Sequence, residues 1–211
     1  MHLNLGPAWS NNNTGSQRQL TVNEIITAAA ELQSACQKEN WQFCFIGGLA
    51  VLRWGKPRET VDVDLTLLTG FGSEEPFIET LLGRFEPRIA NAAQFAMEKR
   101  VLLLRSDKGV GLDIALGGLP FEQLMVQRSS VYRYPPDIPL RTCGAEDLIV
   151  LKAFAGRGQD WVDVEQIIVR QSNKLDWAYI IGQLRPLAEL KGAPEILDGL
   201  ERRRTEFAHS E

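Results

Sequence analysis

Phe45-Ile46-Gly47-Gly48 and, after thirteen intervening residues, Asp62-Val63-Asp64 form the most informative pattern in this chain. Residues 41–46 are a short apolar run stopped by two glycines, which predicts a buried strand. Residues 49–54 then have room for a brief helix before Gly55-Lys56-Pro57 breaks it. Residues 60–67 alternate strictly. Val61, Val63, Leu65 and Leu67 fall on one face of a strand, with Asp62, Asp64 and Thr66 on the other. Carboxylates at i and i+2 of a strand point to the same side, roughly 6.6 Å apart along the backbone. Their side chains can converge on one divalent cation, and carboxylate oxygens are the ligands Mg²⁺ prefers. A strand that ends in Gly-Gly ahead of a helix lets backbone N–H groups approach an anion. An edge strand with one solvated face would read the same without any chemistry, and it is the Gly-Gly at a matching distance that favours a site.

Asp113 is a third acid of interest. It interrupts Val110-Gly111-Leu112-Asp113-Ile114-Ala115, otherwise an apolar strand, and joins Asp62 and Asp64 on one face if the two strands are neighbours. Three carboxylates brought together raise one another's pKa unless a cation neutralises them. An exposed Asp on a hairpin is the plainer alternative.

Outward from this centre, Thr21-Val22-Asn23-Glu24 has capping-box spacing and opens a helix that ends near Asn40. A further helix is expected from Ser73 to about Phe85, and a hairpin from strands 101–105 and 110–115 around Ser106-Asp107-Lys108-Gly109. A short helix near 120–126 and an extended piece near 138–141 follow. From Ala145 onward only helical patterns occur, over 145–155, 160–170, 176–190 and 194–207. The expected fold is α/β (α+β): a small, mixed, twisted sheet flanked by helices, with a helical C-terminal part. Residues 1–19 read as a flexible polar lead-in, 20–142 as the α/β domain and 143–211 as a helical domain.

Composition excludes several classes. The 211 residues carry 27 acids and 23 bases, a net charge of −4, which is not the basic footprint of a nucleic-acid-coating protein. Cys36, Cys44 and Cys143 are irregularly spaced, and the two histidines sit at His2 and His209. That argues against a structural zinc site, a disulfide framework and a His-dependent triad. No signal peptide or membrane span is visible, so a cytoplasmic protein is expected. Gly48 to Gly55-Lys56 has the wrong spacing for a phosphate-binding P-loop, and Gly109-Val110-Gly111 lacks the third glycine of a dinucleotide fingerprint.

Ile46-Gly47-Gly48, Asp62-Val63-Asp64 and Asp113 together resemble the signature of the DNA polymerase β-like nucleotidyltransferase superfamily. The segment from Ala145 to Lys152, with Gly156-Arg157-Gly158-Gln159-Asp160 and Asp163, is similar to the minimal nucleotidyltransferases of the AbiEii/MenT toxin-like group. The resemblance implies transfer of a nucleoside monophosphate from an NTP to an acceptor hydroxyl, with release of pyrophosphate. It implies two Mg²⁺ ions on Asp62, Asp64 and Asp113, with Asp113 also helping to deprotonate the acceptor. Gly47, Gly48, Arg53, Lys152 and Asp160 are the expected nucleotide-binding residues. A tRNA 3′ end is one implied acceptor, a small molecule or a protein side chain another, and an antitoxin protein an implied partner. A non-catalytic nucleotide-binding module is the alternative, against which the intact set of three acids argues.

Individual residues carry alternatives of their own. Lys152 interrupts a helix that is apolar nearly all round, so its ammonium must meet an anion or reach water. Asp160 can be a helix cap, an active-site residue, or both. Arg53, Arg58 and Thr60 flank the first motif, where an arginine can clamp phosphate. Trp54 and Trp161 can stack on a base or simply pack. Lys99, Arg100, Arg105 and Lys108, and separately Arg202-Arg203-Arg204, can meet RNA phosphates or form solvated faces.

Overall fold

A computed structural model describes residues 21–207. The lead-in expected over residues 1–19 and both histidines lie outside the described residues. The elements run α1 (Val22–Lys38), β1 (Phe43–Phe45), α2 (Gly47–Trp54), β2 (Asp62–Leu68), α3 (Glu75–Leu82), β3 (Glu86–Pro87), α4 (Ala92–Lys99), β4 (Val101–Arg105), β5 (Gly111–Gly117), α5 (Pro120–Arg128), β6 (Ser130–Tyr134), β7 (Ile138–Thr142), α6 (Ala145–Ala155), α7 (Gly158–Gln171), α8 (Trp177–Lys191) and α9 (Glu195–Phe207). The expected α/β class is the one observed. Seven strands form one mixed sheet in the order β3-β4-β5-β2-β1-β7-β6, and only helices follow β7 among the described residues.

Alternation along the strands sorts side chains onto two faces. Val63, Leu65 and Leu67 of β2 join Leu112, Ile114 and Leu116 of β5 and Leu102 and Leu104 of β4 in one core. Ile25, Ala29 and Leu32 of α1, Ile78 and Leu81 of α3 and Ala96 of α4 cover that face. Burying a set of this kind, at roughly 1.5–3 kcal/mol per large aliphatic side chain, gives these strands their register. Phe43 and Phe45 belong to this core, whereas Cys44 between them points the other way. There it meets a second core of Ala50 and Val51 of α2, Phe121 and Met125 of α5, and the apolar faces of α6 to α9.

The capping box at Thr21 and Glu24 is present, with each side chain bonded to the other residue's backbone N–H. Val61, expected inside a strand, precedes β2 and is exposed. Three elements have no counterpart in the sequence expectations: the two-residue β3, the helix α4 and the edge strand β6. Among the described residues no helix is long and apolar enough to cross a membrane.

Candidate active site

The two strands that carry the acids are neighbours. β2 and β5 run parallel, with Asp64 opposite Asp113 and Asp62 opposite Gly111. The three carboxylates therefore share the sheet face that the second core leaves uncovered at this end. Together they form the floor of a cleft of about 370 Å³.

The Gly-Gly turn has a geometric reason in this floor. Ile46 N–H donates to the Asp64 carbonyl at 3.0 Å, which lays the turn against Asp64. Gly47 adopts φ +54°, and a Cβ there would overlap the Asp64 carboxylate. A Cβ on Gly48 would overlap the Thr60 side chain. Both positions thus demand glycine, the first for its backbone as well as its size. The Gly48 N–H donates to the Asp64 carboxylate, so the N-terminus of α2 already holds one negative charge.

The facing wall comes from the loop before β2 and from the α6–α7 junction. Lys152, buried in α6, pairs with Asp160 at 3.0 Å and Asp163 at 2.8 Å. Asp163 also accepts a two-point contact from Arg58, at 2.8 and 2.9 Å. Asp160 accepts from Arg157 Nε at 2.6 Å and from the Arg157 N–H at 3.3 Å. The anion required by Lys152 is therefore a pair of the protein's own carboxylates. Asp160 caps α7 and also lines the cleft. Arg58, Lys152 and Arg157 give this wall three positive charges, set among the carboxylates of Glu59, Asp160 and Asp163.

Protonation separates floor from wall. Burial first, then the charges of Asp62 and Asp113, push the Asp64 carboxyl up to about 6. Burial also raises Asp113, with Asp62 acting in the same direction and Arg88 opposing. For Asp160 and Asp163 burial acts upward too, but it is outweighed. Hydrogen bonds from Arg157 and Lys152, and from Arg58 and Lys152, hold the two below the usual carboxylate range.

The floor fits a divalent cation by the chemistry of its donors. All are hard carboxylate oxygens on one sheet face, with Asp64 opposite Asp113 on adjacent strands. Among the described residues, however, no three His, Cys, Asp or Glu side chains are gathered into a ready cage. Asp113 is instead ion-paired with Arg88.

Of the residues expected from sequence, Gly48, Asp62, Asp64, Asp113, Lys152 and Asp160 line the cleft, and Gly47 underlies Asp64. Arg53 is not brought there. Its guanidinium bonds Ser130 and Thr142 of the β6–β7 ribbon and stacks on Trp54. Trp54 donates to the Cys143 carbonyl, and Trp161 packs under Arg203 and against Gly199. Arg100 is bound to Glu74 and to the Gly70 and Leu116 carbonyls, while Arg203 and Arg204 pair with Glu165 and Glu201. Glu59 and Arg88 were not singled out in the sequence. No local signal marks Arg88, which reaches the site through strand register alone.

A family model described as nucleotidyl transferase AbiEii toxin, type IV toxin–antitoxin system, matches residues 32–205. A comparison with curated protein sequences finds no match. Among solved structures, the chain is similar to an antigenic nucleotidyltransferase-like protein from Paracoccidioides brasiliensis. The TM-score is 0.50 at 16% identity, covering 86% of this chain and 94% of that one. It is also similar to the lincomycin-bound lincosamide antibiotic adenylyltransferase LnuA, with TM-score 0.48, 14% identity and coverage of 71% and 98%. A third is ANT(2″)-Ia in complex with adenylyl-2″-tobramycin, with TM-score 0.41, 17% identity and coverage of 86% and 98%. At 16% identity the first likeness concerns the fold alone.

Proposed function

Because this chain belongs to the AbiEii nucleotidyl transferase toxin family, we propose that it moves a nucleoside monophosphate from an NTP to an acceptor hydroxyl in the cleft between β2–β5 and α6–α7. Asp62, Asp64 and Asp113 would hold two Mg²⁺ ions. The observation that carries this reading is the register of Asp64 against Asp113, with Asp62 on the same face, beneath a wall rich in arginine and lysine. Bound Mg²⁺ would neutralise the triphosphate and acidify the acceptor hydroxyl.

The chain's own residues supply the rest. Arg58, Lys152 and Arg157 face the triphosphate, and the α2 N-terminus at Gly47-Gly48 adds backbone dipoles. Asp160 and Asp163 keep Lys152 and Arg58 in place. The acceptor oxygen attacks the α-phosphorus. A new O–P bond forms while the bond from the α-phosphorus to the α–β bridging oxygen breaks, and pyrophosphate leaves. The acceptor's proton passes to the Asp113 carboxylate and then to water. A tRNA 3′ hydroxyl suits a toxin of this family, and an antitoxin encoded with it is the expected partner.

The test is incubation with each α-labelled NTP, Mg²⁺ and a total RNA or protein extract. Label should enter one class of macromolecule, RNA on this reading, and pyrophosphate should appear. Asp62→Asn or Asp64→Asn should abolish both, and a fully active Asp62→Asn protein would sink the assignment.

A further inference from the structure

Arg88 faces the cleft floor but has no part in the transfer just described. It follows β3, and its N–H donates to the Leu103 carbonyl at 3.0 Å. Leu103 stands opposite Asp113, and Asp113 opposite Asp64. Arg88, at the end of β3, therefore extends a row formed by Leu103, Asp113 and Asp64 on three neighbouring strands. The guanidinium reaches past Leu103 to pair with Asp113. Gly111 makes room for it, since a Cβ there would stand 2.9 Å from Arg88 Nη1.

What distinguishes this arginine is how little holds it. Its Nε is buried without a hydrogen-bond partner, and Asp113 is the acceptor its side chain finds among the described residues. Arg100, also beside β5, has three acceptors: Glu74 and the Gly70 and Leu116 carbonyls. Of the five guanidinium donors, the one directed at Asp113 is paired while the buried Nε is left without an acceptor. The Arg88–Asp113 pair is also part-exposed, at 26% and 31% for the two side chains, so solvent screens it. A divalent ion offers Asp113 twice the charge.

We propose that Arg88 is a built-in cation that occupies Asp113 until a divalent ion arrives, so that Arg88 and the ion compete for this carboxylate. The inference rests on the reading of Asp62, Asp64 and Asp113 as the metal-holding set. It accounts for a floor that has the donors for an ion and yet no gathered cage.

The experiment titrates the full chain with Mn²⁺ alone, without nucleotide, and reads free Mn²⁺ by electron paramagnetic resonance. Arg88→Gln should tighten binding roughly fivefold, the factor equivalent to about 1 kcal/mol for a screened pair. Arg88→Lys, which keeps the charge and changes only the reach, should fall between this variant and the parent. It also provides the measurement if Arg88→Gln does not fold, folding being checked by circular dichroism. Arg105→Gln removes an exposed charge from β4 without touching Asp113 and should shift binding less than about twofold. Folded Arg88 variants that bind Mn²⁺ as the parent does, or more weakly, would overturn the competition. So would an Arg105→Gln effect equal to that of Arg88→Gln. Either outcome, with parent binding that Asp62→Asn abolishes, leaves the metal-holding set standing. A parent chain that takes up no Mn²⁺ overturns that set and the competition with it.

Discussion

Two clusters of charge face each other across the cleft, and they are built on opposite plans. The floor has Asp62, Asp64 and Asp113 on adjacent strands, with Arg88 reaching in from the side. The wall interleaves Arg58, Lys152 and Arg157 with Asp160 and Asp163, and each of these two carboxylates meets two cations. Burial acts upward on the carboxyls of both. In the wall, hydrogen bonds from the cations win and the acids are held low. On the floor, burial and like charge win, and Asp64 is pushed up to about 6. The same residue type thus serves two ends. Compensated carboxylates hold elements together, whereas on the proposed reading those of the floor are left to hold a metal ion.

The sharpest way to break this comparison is Asp64→Asn, because it should change activity and stability in opposite directions. Loss of one metal-holding carboxylate should lower nucleotidyl transfer by a factor on the order of a thousand, the rate equivalent of several kcal/mol. The metal-free protein should become more stable near neutral pH, since a partly desolvated charge repelled by its neighbours is gone. Pyrophosphate release and metal-free thermal melting check the two halves. A melting temperature that falls would mean Asp64 is held by interactions of the wall's kind.

Lys152→Met probes the wall by the same logic and should give the opposite stability result. Removing the ammonium leaves Asp160 and Asp163 buried with only Arg157 and Arg58 beside them. Breaking a buried pair by deleting one partner costs about 3–5 kcal/mol, and the remaining arginines put the expectation at about 3 kcal/mol. Urea unfolding at pH 7 measures it.

This contrast also marks what sequence could disclose. The floor was legible because its pattern is local: the i, i+2 acids of Asp62-Val63-Asp64 fix a common face, and Gly47-Gly48 precede them at a readable distance. Asp113 needed one further condition, that β5 lie beside β2, and the register supplies it. The wall was half legible. Lys152 announced itself as a charge in an apolar helix, but its partners are set by how α6 meets α7. Arg58 and Asp163, 105 residues apart, could not be paired without the fold. Arg53 looked equivalent to Arg58 by proximity, yet its helix turns it toward Ser130 and Thr142. Arg88 was invisible because β3 is two residues long. Likewise α4 buries only Ala92 and Ala96, and β6 is an edge strand with four exposed residues of five, so neither shows an apolar period.

Acid sharpens the comparison more gently. Asp64 has its carboxyl raised in the fold, so the folded state binds the proton more tightly than the unfolded chain. The stability it contributes is full below its ordinary value of 3.8 and is lost as pH rises through about 6. Asp160 and Asp163 are lowered, so their contribution is present above the ordinary value and disappears as pH falls below it. From pH 4 to 7 the metal-free protein should therefore lose about 2 kcal/mol through Asp64, and Asp64→Asn should flatten that slope. Saturating Mg²⁺ should flatten it too, because a bound ion favours the charged form. Denaturant midpoints at several pH values, with and without Mg²⁺, decide the point.

The smallest expected stability effect is the most discriminating within the wall. Arg157 pairs with Asp160 as Lys152 does, but its side chain is 76% exposed where that of Lys152 is 9% exposed. An exposed ion pair contributes little, so Arg157→Ala should change stability by less than about 0.5 kcal/mol. Arg157 nevertheless lines the cleft, and its charge is available to a triphosphate. The substitution should raise KM for NTP about fivefold with kcat little changed, the pattern of an interaction made equally in ground and transition states. Stability loss as large as that of Lys152→Met would place Arg157 with the wall's architecture. An unchanged KM would remove it from the nucleotide, and the wall would then have to meet the triphosphate through Arg58 and Lys152 alone.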